Sequence, residues 1–225
     1  MNNWLTINPL KNEEELLARC QLIEGLSFSQ LATSLSLSIP EKQQQRKGWL
    51  GLAIELALGT TAGTKPIPDF SELGVELKTL PLNERGKPAE STFVTSIPLL
   101  TIHQQDWLNS QCYAKLKRVL WLPIEGSKQI PYEHRRIGRG FLWSPNDQEE
   151  AILANDWYEL TTMIATGRLD EINATLGQYL QIRPKAANAR SVCYGFDSEG
   201  TKILTLPRGF YLRPSFTEQL VEALK

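Results

Sequence analysis

With 225 residues, 41% of them hydrophobic and 22% charged, and a formal net charge of −1, the chain has a globular composition and can bury one sizeable core or a core shared by two lobes. No apolar run is long enough to span a bilayer, and the start Met1-Asn2-Asn3-Trp4 lacks the basic and apolar regions of a secretion signal, so no membrane association and a cytoplasmic location are expected. Cys20, Cys112 and Cys193 are odd in number and have no paired spacing, and His103 and His134 are the only histidines, which leaves a disulfide framework, a zinc centre and a histidine-based triad poorly supplied.

In chain order, Asn12 precedes Glu13, Glu14 and Glu15 and then Leu16, Leu17, Cys20 and Ile23 at helical spacing, which predicts a capped amphipathic helix with Glu15 at the capping-box position. Ser27 to Gln30 is a second capping pattern, opening a short helix with Phe28, Leu31, Ala32 and Leu35 on one face. Trp49 to Leu58 is apolar on every side except for Glu55 and stops at Gly59. A helix of that kind is usually buried, which carries the Glu55 carboxylate into or beside the core and calls for a cation, a metal or hydrogen bonds to meet it.

A loop from Thr60 to Pro66 leads to Asp69 and then to Val75-Glu76-Leu77-Lys78-Thr79-Leu80, a short strand between Gly74 and Pro81. Alternation puts Val75, Leu77 and Thr79 on one side and Glu76 and Lys78 on the other. Two carboxylates beside a lysine suit a magnesium site for phosphodiester hydrolysis: the acids hold the hard cation while the lysine orients or deprotonates water. The same spacing also describes an ordinary surface strand with an i, i+2 Glu–Lys pair.

Ser91 to Ile97 is a β-branched strand candidate, expected to form a hairpin with the Glu76–Lys78 strand across the polar turn 82–90. Lys115-Leu116-Lys117-Arg118 runs into the buried strand 119–123, with Lys115 and Lys117 on one face if the strand begins that early. A long helix is predicted from Pro145 to Gly167, with Leu153, Trp157, Leu160 and Ile164 as its core stripe, then a shorter one over 170–176. Residues 178–183 alternate like a strand and run into a basic loop, Arg183 to Arg190. Leu204 to Arg213 reads as a strand, a basic turn and the aromatics Phe210 and Tyr211, and Ser215 to Glu218 as a capping box before a terminal helix. No repeat, phosphate-binding loop or nucleophile elbow is present. Basic residues cluster at 115–118, 134–139, 183–190 and 208–213 and acids at 13–15 and 147–159, a segregation that permits a positive face on a neutral molecule.

Four stretches in this order resemble the MutH mismatch-repair endonucleases: Lys47-Gly48-Trp49 with Glu55; Asp69 with Gly74 to Lys78; Lys115 to Trp121; and Gln181 to Ala189 with Leu206 to Tyr211. The resemblance spans nearly the whole chain. It implies a single α/β endonuclease domain over residues 1–225, with a restriction-endonuclease-like mixed β-sheet core flanked by helices, in a two-lobed clam-shell with a DNA-binding cleft. The implied activity is nicking of the unmethylated strand at hemimethylated GATC sites in bacterial methyl-directed mismatch repair, by a monomer activated by MutL and dependent indirectly on MutS. By resemblance, Asp69, Glu76 and the Leu77 carbonyl hold Mg2+, a site that Mn2+ or Ca2+ can also take. Lys78 positions or activates water, Glu55 completes the acidic site and Lys115 holds the scissile phosphate. Arg183, Pro184 and Lys185 match the major-groove reading loop, Tyr211 the residue near the adenine methyl position, and Lys47 and Phe93 further DNA contacts. The residue types leave two alternatives, a GATC-specific restriction endonuclease and a non-catalytic DNA-binding module of the same fold. The segments 103–111 and 191–202 carry no recognisable family block.

Overall fold

The structure, a computed structural model, describes residues 10–60, 67–185 and 191–224. The chain forms two compact units that interleave in sequence, Met1–Ala89 with Arg118–Trp143, and Glu90–Lys117 with Ser144–Lys225. Both mix helices with small sheets, which makes the class α/β. Among the described residues no helix is long and apolar enough to cross a membrane.

In the first unit, helices α1 (Glu13–Ile23), α2 (Phe28–Ser34) and α3 (Gln43–Leu58) surround a sheet of order β1-β3-β4, where β1 (Glu76–Leu82) runs parallel to β3 (Val119–Glu125) and β4 (Phe141–Trp143) is antiparallel. Asn12 caps α1 through the Glu15 N–H at 2.9 Å, but the Glu15 carboxylate reaches back to the Lys11 N–H rather than closing the box on Asn12. The Ser27–Gln30 box closes in both directions, satisfying two helix-end donors at once. One core gathers Leu16 and Ile23 of α1, Phe28 and Leu31 of α2, Ile54 and Leu58 of α3, and Leu120 and Leu122 of β3. Helix α3 is not apolar all round in its setting: Leu52 and Leu56 are 52% and 41% exposed, so Glu55 lies half-buried at the edge of the core and not inside it. Arg19 closes its far end by donating to the Leu58 carbonyl at 2.9 Å, a cation at a helix C-terminus.

The expected hairpin between the Glu76 strand and residues 91–97 does not form. The chain turns back at 83–87 and pairs at one bridge, Leu82 to Pro88, held by Asn83 N–H to Lys87 O at 2.8 Å and Ala89 N–H to Pro81 O at 2.9 Å. The chain then passes into the second unit, and β1 takes β3 as its partner.

The second unit holds an antiparallel sheet of order β2-β8-β5, made of β2 (Thr92–Ser96), β8 (Arg208–Leu212) and β5 (Leu180–Pro184), and a separate hairpin of β6 (Cys193–Phe196) with β7 (Lys202–Thr205). Helix α4 (Gln111–Ala114) is one turn long and ends at Lys115, so the basic residues 115–118 precede β3 instead of extending it. Helix α5 (Asp147–Ala165) buries Leu153, Trp157, Leu160 and Ile164 as the periodicity predicts, but it starts two residues after Pro145 because Asn146 and Glu149 form the capping box. In place of a helix over 170–176 there is one 3-10 turn, Leu169–Glu171, followed by a turn in which the Asn173 side chain accepts from the Thr175 N–H. Helix α6 (Pro214–Glu222) begins with proline in its first turn and has no side-chain cap, so the Ser215–Glu218 box is not used.

Candidate active site and reading face

The acid–acid–lysine group is assembled by a tight turn. Phe70 and Val75 exchange backbone hydrogen bonds, Phe70 N–H to Val75 O at 2.9 Å and Val75 N–H to Phe70 O at 3.3 Å. Gly74 supplies the left-handed conformation the reversal needs, with φ 67°. Asp69 is thereby folded back onto β1, where its Oδ2 accepts the Leu77 N–H at 2.9 Å.

Glu76 and Lys78 are not on a surface strand. They are 3% and 8% exposed, and Lys78 Nζ donates to Glu76 Oε1 at 2.7 Å. A buried pair of this kind is weak support for stability, because desolvation offsets most of the attraction, whereas removing one partner alone costs about 3–5 kcal/mol. The Glu76 backbone is fixed by its N–H to the Arg118 carbonyl at 3.0 Å. Arg118 in turn grips Glu13 through Nε at 2.7 Å and Nη2 at 2.5 Å, tying the first turn of α1 to the start of β3. That hydrogen bond holds the Glu13 carboxyl below its usual range and raises the Arg118 pKa.

Asp69, Glu76 and the Leu77 carbonyl are all hard oxygen donors at neighbouring positions, the chemistry that suits magnesium. Among the described residues no three Asp, Glu, His or Cys side chains form a possible metal cluster. Asp69, Glu76 and the Leu77 carbonyl offer at most two carboxylates and a carbonyl, a sparse set of the kind that an ion keeping several waters takes. Glu55 sits on α3, whose inner residues Ile54 and Leu58 share the core with Phe70, Val75 and Leu77. Lys115 belongs to the second unit, where it ends α4. The sequence-predicted catalytic set is thus drawn together at Asp69, Glu76, Leu77 and Lys78, accompanied by Glu55 on a helix of the same core, with Lys115 on the other unit.

The second unit groups most of the predicted DNA contacts on one face of its sheet. In the register, Tyr211 stands between Phe93 on β2 and Gln181 on β5, while Phe210 and Leu212 point into the core. The Phe93 and Tyr211 rings meet edge-on at 5.3 Å. Gly209 leaves room for this pair, since a Cβ there would come within 2.8 Å of the Phe93 ring. Lys185 Nζ lies 3.6 Å over the Phe93 ring and donates to Ser96 Oγ at 3.2 Å. Arg183 Nη1 donates to Ser91 Oγ at 3.0 Å, and Gln181 Nε2 donates to the same oxygen at 2.9 Å. Pro184 ends β5 opposite Arg208. Lys47 is exposed on α3 in the first unit, and the remainder of the basic loop, 186–190, lies outside the described residues, as do 61–66.

Sequence reading missed three supporting residues. Gln181, 3% exposed, and Ser91 steady Arg183, and the signal was available in the i, i+2 alternation of Gln181 with Arg183. Asp156, also 3% exposed, accepts the N–H groups of Gln178, Tyr179 and Leu180 at 2.8, 2.6 and 2.8 Å, fixing the start of β5. In the sequence it sits unmarked within the acidic run 147–159. Conversely, the 208–213 cluster is largely structural: Arg213 donates to the carbonyls of Ala174, Leu176 and Gly177, and burial lowers the pKa of Arg208.

A family model described as DNA mismatch repair enzyme MutH matches residues 58–156. The chain is 47% identical to the DNA mismatch repair protein MutH of Vibrio campbellii over 211 residues, 94% of this chain and 93% of that protein. The chain belongs to the MutH family. It is also 47% identical over 215 residues to the MutH protein of Escherichia coli K12, covering 96% of this chain and 94% of that one. With the MutH protein of Pasteurella multocida the identity is 48% over 212 residues, 94% and 96% of the two chains. Coverage of this extent takes in both compact units, and the residue blocks that resemble MutH fall on α3, on the β1 group, on the passage from α4 into β3 and on the β2-β8-β5 face.

Proposed function

We propose that the chain is the endonuclease of methyl-directed mismatch repair, nicking the unmethylated strand at hemimethylated GATC sites. The observation that carries this is the buried Glu76–Lys78 pair with Asp69 folded onto the same strand, in a chain of the MutH family. The proposal brings with it the restriction-endonuclease-like clam-shell fold with a DNA-binding cleft.

Hydrolysis of a phosphodiester needs an aligned water and groups that offset the charge building on the phosphoryl and leaving oxygens. Asp69, Glu76 and the Leu77 carbonyl would hold Mg2+, which when bound supplies Lewis-acid charge and makes water a better nucleophile. Lys78, clamped by Glu76, orients the attacking water. Glu55 completes the acidic site and Lys115 holds the scissile phosphate. The 3′ oxygen leaves, and the product is a nick with a 5′ phosphate. Arg183, Pro184 and Lys185 read the major groove, Tyr211 contacts the adenine edge where N6 methylation would intrude, and Lys47 and Phe93 add contacts to the duplex.

The deciding assay is magnesium-dependent cleavage of unmethylated, hemimethylated and fully methylated GATC duplexes. Nicking of one strand of hemimethylated DNA is the expected result. Equal cutting of both strands of unmethylated DNA by the chain alone would indicate a restriction enzyme, and no cleavage in any arm a binding module. For Tyr211→Ser the expected result is discrimination between methylated and unmethylated strands reduced by about tenfold, in line with ~1–3 kcal/mol for a base contact; unchanged discrimination removes Tyr211 from that role. The net charge of −1 gives the chain little general attraction to a polyanion. Nicking at physiological salt is therefore expected to rise when MutL is added, and an equal rate with and without it would count against recruitment.

A further inference from the structure

Tyr132 collects two arginines that have no part in the chemistry above. It opens the 3-10 turn Tyr132–His134, and its ring packs edge-on against Phe28 at 5.1 Å and Trp49 at 6.3 Å. Its hydroxyl donates to the Arg46 carbonyl at 2.6 Å, inside the first turns of α3. The Arg46 guanidinium lies 4.9 Å from the ring centroid and that of Arg135 5.7 Å from it. Burial pushes the Tyr132 phenol up to about 12, against the opposing influence of both arginines.

Both guanidinium groups are held in place by the edge that faces the protein. Arg46 Nε donates to the Pro40 carbonyl and Arg135 Nε to the Ile130 carbonyl, each at 3.2 Å. The Arg135 backbone is pinned as well, its N–H on Tyr132 O at 3.3 Å and its carbonyl receiving the Phe28 N–H at 2.9 Å. Neither side chain is ion-paired to a carboxylate among the described residues, although Glu133 stands in the same turn. Two half-buried guanidinium groups held beside one ring have each lost part of their hydration, which favours an anion from outside the chain. The planar fork of arginine matches phosphate oxygens, and stacking on an aromatic ring reduces the entropy lost when it engages them.

We infer that Arg46 and Arg135, stacked on Tyr132, form a phosphodiester-binding site that grips the DNA backbone. DNA is favoured over an acidic protein segment because Arg46 is next in sequence on α3 to Lys47, the residue already proposed to contact DNA. The inference rests on the DNA-cleaving reading. It gives the near-neutral chain a localised, sequence-independent hold on its substrate.

The test is equilibrium binding of the full chain to two short duplexes, one with GATC and one with that site scrambled, with Ca2+ in place of Mg2+ and salt varied from about 50 to 200 mM. For Arg46→Gln/Arg135→Gln the slope of log K against log salt is expected to become shallower by ~0.9 for each phosphate that is no longer neutralised, close to two units in all. Affinity should fall about tenfold or more at the low-salt end, equally on both duplexes, as binding through phosphates requires. The single variants should each give about half the change in slope, and they decide the matter if thermal unfolding shows the double variant to be destabilised. A parental slope in the variants overturns the site while leaving the DNA reading intact. Failure of the parent chain to bind either duplex overturns the DNA reading, and the site with it.

Discussion

Glu76→Ala is expected to reduce magnesium-dependent nicking of an unmethylated GATC duplex by about a thousandfold or more, the scale of several kcal/mol of charge stabilisation removed, while DNA binding is largely kept. Lys78→Ala should do the same. Because the two side chains neutralise each other in a buried setting, each single change also strands a charge and costs about 3–5 kcal/mol of stability. Changing both to alanine removes the pair together, so its stability loss should be well below the sum of the singles. Nicking should nevertheless be absent in all three proteins. That contrast, stability partly restored and activity not, separates a catalytic role from a structural one in a single double-mutant cycle. Full cleavage by any of the three would sink the assignment.

Asp156→Ala is expected to lower the free energy of unfolding by about 3–5 kcal/mol, the range for breaking several charge-assisted hydrogen bonds and leaving buried donors unmet. Its carboxylate satisfies three consecutive backbone N–H groups at the start of β5. Asn at this position keeps one acceptor but turns an amide N–H toward a donor, so an intermediate loss is expected. Urea unfolding monitored by circular dichroism measures both, and a loss under about 1 kcal/mol for the alanine variant would show that water can replace the carboxylate. Arg183 lies three residues beyond the last of those N–H groups, on the same strand.

What could be read from sequence depended on the range of the interaction. Helix starts set by a side chain three residues from its own backbone partner were legible in part: the Ser27–Gln30 box formed as expected, whereas Glu15 turns to the Lys11 N–H and α6 starts without a side-chain cap, and the stripe from Leu153 to Ile164 is buried as its periodicity predicts. The Glu76–Lys78 pair on β1 was legible for the same reason, since the two side chains touch at a spacing of two. Strand pairing was not. Nothing local to residues 75–97 says that β1 will pass over the nearby β2 for β3, because a parallel partner is chosen by the shared core and not by the turn. Buried polar anchors were also invisible. Asp156 has the same sequence surroundings as the exposed acids of α5 and differs only in what packs above it.

The chain crosses between the two compact units three times, after residues 89, 117 and 143. No contiguous fragment therefore contains the whole first unit without the second unit's 90–117 segment. On the ribosome, β1 emerges well before β3, and until then its backbone has no partner on that side. A protein severed after Ala89 would leave β1 as an open edge in one piece and its partner strand in the other. The two pieces would be prone to aggregation apart and suited to complementation together, so restored nicking on mixing would report the pairing of one parallel ladder.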